Sequence, residues 1–132
     1  MADSWYTLGR KYVLDSNLDP AVDTIKAALI KSAYTPNLAT HQFYSDISAD
    51  VLNTPQALTS ITTTGGTLDA ADVTFTSVTS GDTASYVALY KDTGVAGTSP
   101  LLILFDSITG FPLATNGANI TISWNATGIV TL

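Results

Sequence analysis

The chain has 132 residues and a mass of 13.8 kDa, which is one domain by size and long enough to bury a core. A net charge of −6 with only 12% charged residues leaves no basic patch for a nucleic-acid backbone, and the absence of cysteine removes disulfide and thiolate chemistry. The apolar run "PLLILF" at residues 100–105 is far too short to cross a membrane.

All eleven acidic residues are Asp, and threonine occurs 21 times. Helix formers such as Glu, Lys and Arg are scarce, so the composition favours strands and turns. In chain order, "SWYTLGRKYVL" (residues 4–14) is an apolar, aromatic segment, and residues 1–14 are expected to form an N-terminal arm or a first strand. The start of the chain lacks a basic region followed by an apolar core, so it does not read as a secretory signal. "DSNLDP" is a turn, because Asp and Asn bond their own backbone and Pro20 fixes φ. "AVDTIKAALIKSAYTP" carries both helical and alternating spacings; a strand over residues 24–31 is the expectation.

Residues 37–55 are irregular, with one short helical turn capped by Thr40. After Pro55 the sequence becomes β-like. "QALTSITTT" alternates, Gly65–Gly66 breaks it, and in "LDAADVTFTSV" Val73 and Phe75 oppose Thr74 and Thr76. "TASYVALYK" follows a Gly turn. "PLLILFDSI" is apolar on both faces and predicts a central, doubly covered strand. Asn116–Gly117 signals a hairpin-type turn. In "NITISWN", Ile120, Ile122 and Trp124 share one face, so Trp124 is expected to be buried. The sum is an all-β, single-domain antiparallel β-sandwich over residues 1–132, jelly-roll-like, with seven or eight strands and little helix.

Few residues suit catalysis. His41 is the only histidine and lies five residues before Asp46. A triad needs a marked nucleophile and a catalytic zinc commonly needs three protein ligands; neither pattern accompanies it. Asp69 and Asp72 lie three apart without a calcium loop around them, and Asp92–Gly94, "DTG", reads as a turn. The glycine-rich stretches match no nucleotide-binding spacing. Asn119 and Asn125 match the glycosylation pattern but read as ordinary strand residues. The expectation is a protein that is not an enzyme, with no catalytic, cofactor or metal site.

The order of "DTIKAALIKSAYTPNLATHQFYSDIS", "LDAADVTFTSV", "YVALYKDTG", "SPLLILFD" and "NGANITISWNATGIVTL" resembles a family of small virion structural proteins of tailed bacteriophages, over about residues 8 to 132. The chain departs from that pattern between Val51 and Leu68, where the family often carries a longer stretch. The resemblance implies a head decoration (cement) or minor capsid protein whose partner is the major capsid protein, located in the virion and made in the bacterial host cytoplasm. It also implies that His41 and Asp46 fix a loop that Phe43 and Ile47 pin to the sandwich. The acidic balance suits the outer capsid surface over a face turned to DNA. A low share of charge with a positive mean hydropathy predicts a homo-oligomer, in which a trimer would match threefold positions of a shell. Trp5, Tyr6 and Tyr12 are the candidate interface residues. A tail or head–tail connector component, and a carbohydrate- or calcium-binding β-sandwich module, are the alternatives.

Overall fold

A computed structural model describes residues 4–131; Met1–Asp3 and Leu132, the ends of the expected N-terminal arm and last strand, lie outside the described residues. Every strand pairing in it is antiparallel. The elements are β1 (Ser4–Trp5), α1 (Thr7–Leu14), β2 (Ile25–Lys31), β3 (Val51–Ala57), β4 (Thr67–Leu68), β5 (Val73–Phe75), β6 (Thr83–Lys91), β7 (Leu101–Phe105), β8 (Leu113–Ala114), β9 (Ile120–Ile122) and β10 (Val130–Thr131). The main sheet runs β1-β7-β6-β2-β3, and β8 pairs with the start of β6. Two ribbons, β5–β9 and β4–β10, complete the all-β, sandwich-like fold.

The doubly apolar strands put β2, β6 and β7 at the centre. Along β2, Ile25, Ala27 and Leu29 point to one face while Ala28 and Ile30 point to the other. On the first face these residues, with Val87, Leu89 and Phe105, pack with Val73, Phe75, Ile120 and Ile122 of the ribbon β5–β9. On the second face Ala28, Ile30, Ala88, Tyr90 and Leu104 pack with Tyr6, Tyr34 and Ile47. The ribbon and the 32–50 loop therefore cover opposite sides of one sheet. Each fully buried Leu, Ile or Phe side chain contributes about 1.5–3 kcal/mol. Between Leu101 and Ile103 the pairing with β6 shifts, so Leu102 and Ile103 both join the first-face core.

Several expectations need correction. Only Ser4–Trp5 of the N-terminal segment is a strand; the chain then forms α1. Gly9 makes this helix fit, because it lies against the backbone of Leu101 and Leu102 where any Cβ would collide. The third strand begins at Val51, before Pro55. Pro55 is tolerated because β3 is the outer strand of the main sheet. Trp124 is half-buried rather than buried. The β5–β9 ladder ends at Val73 opposite Ile122, and the Trp124 amide then donates to Asp72 Oδ1 at 3.0 Å, so the chain leaves the ladder before the indole is reached.

Candidate functional site

The segment from Ser32 to Asp50 joins β2 to β3 across the second face of the sheet. Tyr34 lies almost fully buried at its start. Its hydroxyl is 2.9 Å from the Tyr6 hydroxyl and 2.7 Å from His41 Nδ1. The Tyr34 ring also meets Tyr86 edge-on, with centroids 5.9 Å apart. The backbone N–H of His41 donates to Asn37 O at 2.9 Å. Asp46 then closes the loop: its Oδ2 accepts the N–H groups of Gln42 (2.8 Å) and Phe43 (3.0 Å). That carboxylate, not Thr40, caps the short 3₁₀ turn at Tyr44–Asp46, and a second turn, Ser48–Asp50, follows with no side-chain cap. Ile47 is buried, and Tyr44 stacks on Tyr90 with centroids 4.6 Å apart. Phe43 is half-buried and forms an isolated bridge to Pro100.

The electrostatics follow from this geometry. Burial, and then the bond to Tyr34, raise the Tyr6 hydroxyl far above the ordinary phenol range. Burial raises Tyr34 as well. The Phe43 and Gln42 N–H groups hold Asp46 below the usual carboxylate range. His41 is thus bonded to the Tyr34 phenol, which burial keeps protonated and which is bonded in turn to the phenol of Tyr6. Among the described residues no group of three or more His, Asp or similar side chains could hold a metal ion.

The three aromatic residues singled out from the sequence are placed very differently. Tyr6 is fully buried, at 0% exposure, so its side chain cannot belong to a surface of the folded chain. Tyr12 is half-buried and its hydroxyl accepts a bond from Lys91 Nζ at 3.0 Å, which ties α1 to β6. That bond is the main reason Lys91 is raised above the usual ammonium range. Trp5 lines an open groove of about 290 Å³ with Val13, Leu18, Pro20, Leu68 and Val130. The stretch that forms one wall also carries Leu14 at 76% exposure and Val22 at 77%.

The remaining motifs act as turns. Asp92 Oδ1 accepts the Gly94 N–H at 2.9 Å and Oδ2 pairs with Lys26 at 2.8 Å. Asp69 accepts from Ala70, and Asp72 from Trp124. Asn119 accepts from Ser77 and Asn125 from Thr127. A second cleft, of about 220 Å³, opens beside Trp124. Sequence reasoning missed it, having placed that indole inside the core. No family model matches the chain, and no curated protein matches it either.

Proposed function

We propose that this chain is a structural, non-enzymatic protein of a tailed-phage virion: a head decoration (cement) or minor capsid protein. Many copies would sit on the outer surface of the shell, as trimers, and bridge neighbouring capsid subunits. The observation that carries the reading is the apolar groove beside Trp5, flanked in sequence by the exposed Leu14 and Val22. Large exposed apolar side chains beside an apolar groove are what a contact face requires. The ordered motifs of residues 23–132 support the same reading through their resemblance to phage virion proteins.

The mechanism is binding alone. A trimer at a position where three capsid subunits meet gains from multivalency and matches the symmetry of its site. Each copy that binds the assembled lattice and not loose subunits stabilises the lattice by mass action. Of the three candidate contact residues, Trp5 keeps that role and Tyr12 takes a lesser one, since its hydroxyl is already engaged.

Cryo-electron microscopy of the parent particle tests the proposal. Density for the chain at threefold-type positions outside the shell is the expected result. Density on the tail tube, at the connector or inside the shell overturns the cement role. Trp5→Ser, which changes the groove wall and leaves the buried Tyr6 in place, should lower the occupancy with the protein still folded.

A further inference from the structure

We propose that the cleft beside Trp124 is a binding site for a single neutral sugar ring. This inference stands independently of the virion reading. The cleft has an apolar floor, formed by Phe105 and Ile122, and Trp124 on its wall. Ser123, Thr109 and Asn125 line it as well. A pyranose has the matching character: one face of C–H groups, which packs on an indole, and a perimeter of hydroxyls that need partners.

The polar groups remain available. Among the described residues the hydroxyls of Ser123 and Thr109 have no hydrogen-bond partner. Asn125 uses its Oδ1 for Thr127, and its two amide donors take no part in those bonds. The indole, by contrast, is already fixed. Its Nε1–H donates to Ala71 O at 3.2 Å, the Trp124 amide is held by Asp72, and the ring tilts against Phe105 with centroids 5.6 Å apart. A ring held in place before binding loses little entropy when a ligand stacks on it.

Size and charge narrow the ligand. A volume of about 220 Å³ is below the roughly 300–1,000 Å³ typical of drug-sized sites, so it suits one ring. No charged side chain lines the cleft, and the chain carries a net charge of −6. Nothing there would neutralise a uronic acid, a sialic acid or a nucleotide phosphate. A neutral hexose or N-acetylhexosamine fits.

The test uses the two tryptophans. Trp5→Phe leaves Trp124 as the single indole, and the variant is titrated with the methyl glycosides of glucose, galactose, mannose and N-acetylglucosamine. A saturating fluorescence change is expected for at least one, with a dissociation constant on the order of 1 mM for so small a ligand. Ser123→Ala and Thr109→Ala are surface changes that should leave the unfolding midpoint in place and weaken binding about threefold to tenfold each. No fluorescence change up to about 50 mM of every glycoside overturns the proposal. So does undiminished binding in the Ser123→Ala, Thr109→Ala double variant, or tighter binding of adenosine than of every glycoside. Amide shift mapping of the unmodified chain should centre on residues 107–109 and 122–125; a response centred on Trp5 would also overturn it.

Discussion

Replacing Gly9 with alanine sets two known effects against each other. Alanine is the better helix former, by about 1 kcal/mol in a helix interior. Against that, a Cβ at residue 9 would overlap Leu101 O outright, and it would sit 2.9 Å from Leu102 Cα and 3.0 Å from Leu102 O. All three neighbours are backbone atoms of β7, a strand buried along its whole length and paired to β6. No side chain can turn aside to relieve the clash, so α1 must move outward. Overpacking of this kind costs about 1–3 kcal/mol. Outward movement also loosens Val13 from the first-face core and strains the bond from Lys91 to Tyr12. The two losses together outweigh the gain in propensity, and a net destabilisation of about 1–2 kcal/mol is expected. In urea this lowers the midpoint by roughly 1 M at an ordinary slope for this size. Trp5, next to α1 and paired with Ile103, should report the change through its fluorescence in a Trp124→Phe background. An unchanged or raised midpoint would refute the argument that close backbone approach is what residue 9 is for.

Three further outcomes follow from the 32–50 loop and the surface ion pairs. Ile47→Ala empties a fully buried site under the loop and should cost about 2–5 kcal/mol in denaturant unfolding; a loss below about 0.5 kcal/mol would mean the loop does not cover the sheet. Asp46, held by two N–H groups, and Asp92, held by Lys26 and the Gly94 N–H, both have carboxyls below the ordinary range. Their stabilisation is therefore fully present above about pH 4 and is lost as pH falls through the folded-state values. Asp46→Asn should flatten part of that acid loss, and an identical pH profile in the variant would count against the assignment. His41→Ala removes one hydrogen bond from Tyr34, which keeps its bond to Tyr6, so a cost of about 1 kcal/mol is expected and, under the proposed capsid role, unchanged binding to particles. A folded His41→Ala protein that no longer decorated particles would show that the histidine takes part in the contact.

The elements legible in the sequence are those whose burial repeats along the chain. Ile25–Lys31 and Thr83–Lys91 are strands within a residue of their expected bounds, and the run expected to be covered on both faces, residues 100–108, is a fully buried strand over Leu101–Phe105 that ends three residues early. Val73–Phe75 and Ile120–Ile122 have one wet face, and their Thr74 and Thr121 alternate outward as a period of two requires; the two hydroxyls meet at 2.9 Å across the ribbon. The helix Thr7–Leu14 has no such signature. It is short, its N-cap residue Tyr6 makes no side-chain bond to the helix's own N–H groups, and a glycine sits in its first half. What holds it is tertiary: Gly9 on β7, Tyr12 on Lys91, Thr7 N–H on Leu38 O. Trp124 failed for a related reason. Alternation placed it correctly in line with Ile122, but alternation cannot say where a ladder ends, and here a single carboxylate, that of Asp72, ends it.

The same distinction decides how the histidine should be read. From the sequence, the neighbours of His41 are Asp46 and two aromatic residues, a grouping that invites chemistry. In the fold its partner is Tyr34, and behind that Tyr6, 28 residues further up the chain. Nothing local in the sequence announces that pairing. The carboxylate faces away to cap the loop's own backbone, while Tyr44 stacks on Tyr90 and Tyr34 meets Tyr86 edge-on. The side-chain bonds of Tyr34, His41 and Asp46 thus hold a cover over an apolar sheet face. A loop so occupied must stay closed, because opening it would expose Ile30, Ala88 and Leu104 to water. In the roles proposed above, recognition of a partner or ligand falls to surfaces that carry no such duty. Two stand out: the apolar groove with Trp5 on its wall, and the cleft with Trp124. The first suits a protein partner, because it is lined mainly by apolar side chains and the stretch beside it carries exposed ones. The second suits a small polar ligand, because its indole is fixed and its hydroxyls are not.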